Sequence, residues 1–114
     1  MSATQVFTLT DIIARQKEAR SRYHEYLRMP TMSAGLYRLA AQSDDPQRPH
    51  GQDELYHVLL GHATLQVDGQ DHLVGPGSVV FVPAGATHRF HTITEDLEVM
   101  VVFAPAESRG DTAC

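Results

Sequence analysis

Short apolar segments separated by glycine and proline turns dominate the chain from residue 32 onward. The Asp68-Gly69 pair between two of these segments is a strong signal for a two-residue hairpin turn. Many short strands at even spacing with such turns are typical of an all-β sandwich or barrel. The predicted strands are 32–41, 54–60, 62–67, 70–74, 78–82, 87–92 and 97–104.

The N-terminal segment has a different pattern. Residues 10–28 predict one helix with a partly apolar stripe, because no glycine or proline interrupts them before Pro30. Thr8–Asp11 offers N-cap residues and an early acidic charge. After Pro105 the chain is polar, and we expect it to be frayed. The predicted division is an N-terminal arm and helix over 1–30, a β-barrel over 31–106 and a polar C-terminal tail over 107–114.

Size and charge exclude several classes of protein. A chain of 114 residues forms one domain. Nine Lys and Arg against fourteen Asp and Glu, with no basic run, argue against nucleic-acid binding. The longest apolar run, Val99–Ala104, is too short for a membrane span. Cys114 is the only cysteine, so no internal disulfide forms, and a cytoplasmic location is expected.

Three residues carry the chemistry of the sequence: His50, Glu54 and His88. His50 and Glu54 are four positions apart and share one face of an extended strand, but about 13 Å separates them at ~3.3 Å per residue. Gly51 could supply the bend that brings them together. If a later turn delivers His88 to the same place, two imidazoles and one carboxylate can bind a transition metal and leave coordination positions open.

The spacing of these residues also resembles two motifs of one known superfamily. In the first motif a histidine, a glutamate and a closing glycine correspond to His50, Glu54 and Gly61. The second motif is matched by Gly77, Pro83, Gly85 and His88. The chain is thereby identified as similar to the cupin superfamily, whose small members fold as RmlC-like jelly-roll barrels. The fold expected from this resemblance is a cupin-type double-stranded β-helix with an N-terminal helix added.

The resemblance implies a bound divalent metal such as iron, manganese, zinc or nickel. Cupins use four ligands, and here the first histidine of the motif is replaced by Arg48, so at most His50, Glu54 and His88 remain. Gln42 and Thr92 replace a glycine and an asparagine of the motifs. A guanidinium cannot ligate a metal, and its charge opposes a nearby cation. A salt-bridge cluster of Arg48, His50 and Glu54 without metal therefore stays open as an alternative.

A ligand pocket is expected beside the metal. Arg48 could stand at its mouth and bind a carboxylate or phosphate. Gln52, Tyr56 and Phe90 share the inward face and complete the predicted substrate-binding set, in a mostly apolar pocket.

The leading functional hypothesis is a metal-dependent cupin that binds a small organic ligand, including an anionic one. Dioxygenase chemistry and isomerase or lyase chemistry are both compatible with such a site. A non-catalytic binding or sensing module, or a metal-free barrel with a structural polar cluster, are the alternatives. The resemblance also implies a homodimer built on outward-facing apolar strand residues, for which we select Leu55, Leu59, Val80, Val82, Val99 and Val101.

Overall fold

One helix precedes eight strands in this computed structural model, which describes residues 3–46 and 49–108. Helix α1 spans Leu9–Ala19. The strands are β1 Tyr23–Met29, β2 Met32–Leu39, β3 Asp53–Leu60, β4 Ala63–Val67, β5 Gln70–Val74, β6 Val79–Val82, β7 His88–His91 and β8 Leu97–Ala104.

The strands form two antiparallel sheets. The larger sheet has the order β1-β2-β8-β3-β6, and the smaller has the order β5-β4-β7. Residues that are far apart in the sequence become neighbours, since β8 lies between β2 and β3. This arrangement confirms the predicted all-β jelly-roll class with an N-terminal helix.

The core fills the space between the two sheets. Alternate residues of β3 and β8 face inward, as the pleat of a strand requires. The buried cluster includes Tyr37, Tyr56, Val58, Leu65, Val82, Phe90, Ile93, Leu97, Val99, Val101 and Phe103. Three residues assigned to an outward dimer face, Val82, Val99 and Val101, are therefore fully buried. That part of the prediction is wrong because β6 and β8 are apolar along most of their length, so the pattern does not reveal which face points inward.

The predicted helix over residues 10–28 is too long. Helix α1 ends at Ala19, where Arg20 adopts a left-handed conformation (φ 54°) and its N–H donates to the carbonyl of Gln16. Residues 23–29 form β1, which pairs with β2 and so belongs to the large sheet. Pairing with a neighbouring strand outweighs the weak helical pattern of this segment.

No helix of the described residues is long and apolar enough to span a membrane.

Two turns have the backbone that their residues predict. Asp68 (φ 48°) and Gly69 (φ 81°) join β4 to β5 in the expected tight hairpin. Gly61 (φ 90°) lies against the loop between β7 and β8. A Cβ placed on Gly61 would be 2.3 Å from the carbonyl oxygen of Asp96 in that loop. Both its φ and this close approach require glycine at position 61.

Candidate metal centre

The segment before β3 and the turn before β7 are joined by hydrogen bonds. The chain bends at residues 51 and 52 before β3 begins at Asp53, close to the glycine where a bend was expected. The N–H of Gly85 donates to the carbonyl of His50 at 2.8 Å. The N–H of Ala84 donates to Oδ1 of Asp53, also at 2.8 Å. These contacts bring the start of β7, and hence His88, beside the start of β3.

The structure brings His50, Glu54 and His88 together. One ligand atom of each lies within 4.8 Å of the ligand atoms of the other two. Their exposed fractions are only 3%, 1% and 6%. Because metal–nitrogen and metal–oxygen bonds are about 2.0–2.2 Å long, one ion could reach all three with small adjustments. The roles of the three residues as ligands stay a prediction.

The ring of His88 is held by two partners. Its Nδ1 lies 2.8 Å from the carbonyl oxygen of Ala86, so Nδ1 carries the proton that it donates. Its Nε2 lies 2.8 Å from Oε2 of Glu54. A proton must lie between those two atoms while no cation replaces it, because a neutral imidazole would offer only a lone pair there. The fixed tautomer leaves Nε2 as the atom for a metal.

The pKa of His88 reflects these contacts. Burial is the largest single effect and would lower the pKa. The hydrogen bond and charge of Glu54, with the carbonyl of Ala86 and the charge of Asp45, outweigh burial and raise the pKa of His88 above its usual value. Protons and a metal therefore compete for the same nitrogen.

Glu54 supplies the test of whether these residues suit a metal. Its side chain is buried, and among the described residues its Oε1 has no hydrogen-bond partner. A buried carboxylate oxygen without a partner costs about 1–3 kcal/mol or more, so a compensating group is expected. A cation between Glu54 and the imidazoles would satisfy this oxygen. The donor set fits a divalent transition metal.

Glu107 also lies at this site, although the sequence placed it in a frayed tail. Its Oε2 is 3.5 Å from Nδ1 of His50, and the residue is 7% exposed. Its N–H donates to the hydroxyl of Ser33 at 2.9 Å, and Nη2 of Arg28 donates to its carbonyl at 2.5 Å. The prediction of a frayed tail is therefore wrong at this position. No local sequence signal identifies Glu107, because its partners come from β1, β2 and the loop before β3.

The predicted substrate-binding residues have different surroundings. Gln52 is buried, and its Nε2 donates to Ser108 Oγ at 2.8 Å, so that nitrogen already has a protein partner. Tyr56 and Phe90 are fully buried, and their ring centroids are 5.3 Å apart. The ring centroid of Tyr56 lies 6.2 Å from that of His88. Arg48 lies outside the described residues, and so does its proposed salt bridge. Whether these residues bind a substrate stays a prediction.

A cavity of about 200 Å³ opens beside His88. It is lined by Pro49, Gln66, Thr87, His88 and Arg89. A cavity of about 430 Å³ lies along residues 42–44 and 89–94 and does not include His50, Glu54 or His88. Volume alone therefore does not locate the site, and we assign it by the buried ligand set. Arg89, which the sequence did not single out, is the described cation that lines the smaller cavity.

Comparison with known proteins agrees with this geometry. The profile of the family described as the Cupin domain matches residues 35–103, a span that includes His50, Glu54 and His88. The chain belongs to the cupin family. The resemblance inferred from the two motifs is thereby confirmed.

This cupin is similar to a curated protein and to two solved structures, and it matches the first protein and one of the structures over nearly their full length. It is 46% identical over 104 residues to an uncharacterized protein of Streptomyces coelicolor, covering 91% of this chain and 99% of that protein. A structure from Thermus thermophilus is similar at 24% identity and a TM-score of 0.72, covering 90% of this chain and 99% of the other. The DMSP lyase DddQ of Ruegeria pomeroyi is similar at 23% identity and a TM-score of 0.66. The match covers 84% of this chain and 52% of the lyase chain. At these identities the two structures establish a shared fold.

Proposed function

We propose that this cupin binds one divalent transition metal through His50, Glu54 and His88 and holds a small organic ligand beside it. The observation that carries the proposal is the buried Glu54 carboxylate, one oxygen of which lacks a hydrogen-bond partner among the described residues while the other faces His88 Nε2. Iron, manganese, zinc and nickel all suit a set of two imidazoles and one carboxylate.

An anionic ligand suits this site. Two neutral imidazoles and one carboxylate would leave one positive charge on the ligated divalent ion, which attracts an anion, and the Glu107 carboxylate near His50 would offset part of that attraction. Arg89 lines the same cavity of about 200 Å³ as His88, but its exposed side chain points to the opposite face of β7 from the buried His88, so its guanidinium can pair with a carboxylate or phosphate only at the outer surface. Arg48 has the same chemistry, and we keep it as a second candidate. We also propose Gln52, Tyr56 and Phe90 as walls of the ligand site.

The reaction we favour is a metal-assisted isomerase or lyase reaction, with dioxygenase chemistry as the second enzymatic candidate. A bound ion would act as a Lewis acid that polarises an oxygen of the substrate. The solved DMSP lyase with this fold supports the lyase class. The residues of the chain would orient the substrate and exclude water, because His50, Glu54 and His88 are buried.

Glu107 serves in this proposal as a positioning residue. A carboxylate that accepts a proton from one imidazole nitrogen fixes the tautomer and presents the other nitrogen to a metal. The distance of 3.5 Å between Glu107 Oε2 and His50 Nδ1 is longer than an ordinary hydrogen bond, so a small movement would complete the contact.

The metal is tested by elemental analysis of protein purified without chelators. We expect about one ion per chain, and a metal-free sample that gains thermal stability when the correct metal returns. Glu54→Gln and His88→Gln should lose the ion. His62→Gln is the matched control, since His62 pairs with Glu95 on the surface. Metal-free protein whose melting temperature is unchanged by iron, manganese, zinc and nickel would overturn the proposal.

The second candidate is a metal-free cupin with a structural polar cluster. It is favoured by the 2.8 Å ion pair between His88 and Glu54, which balances a positive and a negative charge without any cation. In that case Glu54→Gln would destabilise the protein, and added metal would change neither variant nor wild type. A substrate panel under air and under nitrogen distinguishes an oxygenase from a lyase, an isomerase or a non-catalytic binding protein.

We also propose a homodimer and a cytoplasmic location. The outer face of β3 and β6 exposes Leu55, Val79 and Phe81 at 42%, 60% and 59%. Leu55 pairs with Phe81 across the two strands, so these side chains are neighbours on one face. The location rests on cysteine usage alone.

A further inference from the structure

A cavity of about 470 Å³ lies where the end of α1 meets the beginning of β1 and the end of β2. Four basic side chains line it, Lys17, Arg20, Arg22 and Arg38, out of nine Lys and Arg in the whole chain. The rest of its lining is Gln16, Ser21, Ala40 and Ser43, with no Asp or Glu. We call these four basic residues and their enclosure the basic cavity.

The positive charges of the basic cavity are poorly balanced. Within the part of the chain that the structure describes, Lys17, Arg20 and Arg22 form no ion pair. Arg38 has one, a 4.0 Å contact with Asp96 between side chains that are 45% and 62% exposed, and its cross-strand neighbour on β8 is the buried Glu98. Like charges gathered in one place repel each other, and a contact this long and exposed offsets little of that repulsion. A concentration of cations in a protein of net charge −5 therefore suggests a bound anion.

The backbone that carries these cations is fixed. Gln16 is 3% exposed, and its Nε2 donates to the carbonyls of Arg22 and Leu36, both at 3.0 Å. The N–H of Arg38 donates to the carbonyl of Arg22 at 2.8 Å. The helix end and both strands are thus held together, and less ordering is needed when a ligand binds.

The basic cavity lies at the opposite end of the sheet from the candidate metal centre. Across the sheet, Ser33 pairs with Phe103, which pairs with Glu54. Arg38 is five residues further along the same strand as Ser33 and pairs with Glu98. At ~3.3 Å per residue this is about 16 Å along β2. One small ligand cannot occupy both places.

We propose that the basic cavity is a second ligand site, which binds a small molecule bearing a phosphate group. Guanidinium groups match phosphate oxygens in charge and in geometry. The volume falls within the ordinary range for small-molecule sites. A long polyanion such as a nucleic acid would meet the net negative charge of the remaining surface. The negative end of the α1 dipole disfavours an anion by a small amount, which is why several cations are needed.

Titration with inorganic phosphate and glycerol 3-phosphate, followed by the amide resonances of Arg20, Arg22 and Arg38, tests the site. We expect saturable shifts and, for Arg22→Gln/Arg38→Gln, affinity at least about tenfold weaker, a difference of roughly 1.4 kcal/mol. Arg15→Gln is the matched control, because Arg15 is an exposed residue of α1 that does not line the cavity. This control should change affinity less than about twofold.

Arg89→Gln distinguishes the basic cavity from the metal centre, since it removes the described cation beside His88. Loss of phosphate binding in Arg89→Gln but not in the double variant would overturn the second site. Shifts that do not saturate by about 10 mM phosphate, or affinities equal in wild type and double variant, would also overturn it. If the double variant fails to fold, Lys17→Gln and Arg20→Gln, whose side chains are exposed, replace it with the same expectation.

Discussion

At the scale of single residues, burial determines what the acidic groups of the centre can do. Glu54 and Glu107 are 1% and 7% exposed, so each needs a partner for its charge. His88 forms an ion pair with Glu54, and Nδ1 of His50 lies 3.5 Å from the carboxylate of Glu107. Glu54 was identifiable from the sequence because it sits at a fixed spacing from His50. Glu107 was not, because its position depends on tertiary contacts with Ser33 and Arg28.

The raised pKa of His88 predicts how the stability of metal-free protein depends on pH. The ion pair with Glu54 contributes fully below the unfolded pKa of His88, about 6.5, and its contribution is lost as pH rises through the higher folded pKa. Urea unfolding at a series of pH values should therefore show that wild type loses stability over this window relative to His88→Gln. A difference between the two proteins that stays constant across the window would contradict this expectation.

The proximity of Glu107 to His50 predicts a graded effect on metal binding. Glu107→Ala should weaken metal affinity about 10–100-fold, the usual effect of removing such an outer partner. Glu107→Gln keeps an oxygen that can accept from Nδ1 and should restore much of that affinity. Competition with a chelator measures both variants, and the spectrum of the cobalt-substituted protein reports whether His50 still ligates. Equal affinity in Glu107→Ala and wild type would remove Glu107 from the site.

At the scale of elements, turn chemistry was more informative than apolar periodicity. Asp68-Gly69 and the glycines around β6 and β7 locate the strands, because few other residues adopt their backbone angles. The segment Tyr23–Met29 lacks such a marker, and it became β1 instead of the second half of a helix. Its partner is β2, which adjoins β8 from the far end of the sequence, so local pattern could not anticipate this sheet.

Gly61 and Gly77 form a matched pair that isolates the effect of crowding. Both have a φ of 90°, but a Cβ at Gly77 meets no heavy atom within 4 Å, whereas at Gly61 it would lie 2.3 Å from the Asp96 carbonyl oxygen. Both Gly→Ala variants carry the strain of a side chain at the same positive φ. We expect Gly61→Ala to lose about 1–3 kcal/mol more in the free energy of unfolding than Gly77→Ala. Equal losses in denaturant unfolding would mean that the backbone angle alone requires glycine at position 61.

At the scale of the whole molecule, the two faces of the large sheet have different partners. The inner face packs against the small sheet, while part of the outer face packs against α1, which buries Ile12. The remaining outer surface on β3 and β6 carries the exposed Leu55, Val79 and Phe81. The sequence predicted more apolar strand residues than one core can bury, and hence an apolar outer surface. It assigned some core residues to that surface, because β6 and β8 are nearly continuous apolar runs.

A dimer through this surface predicts that one charge will separate the subunits. Phe81 is 59% exposed and lies next to Leu55, so Phe81→Lys would place an ammonium in an apolar contact between copies, where leaving it unpaired is costly. We expect wild type to elute as a dimer and Phe81→Lys as a monomer in size-exclusion chromatography with light scattering. Leu73→Lys is the control, because Leu73 is 89% exposed on β5 of the other sheet. A wild-type monomer, or a dimer that survives Phe81→Lys, would place the interface elsewhere or remove it.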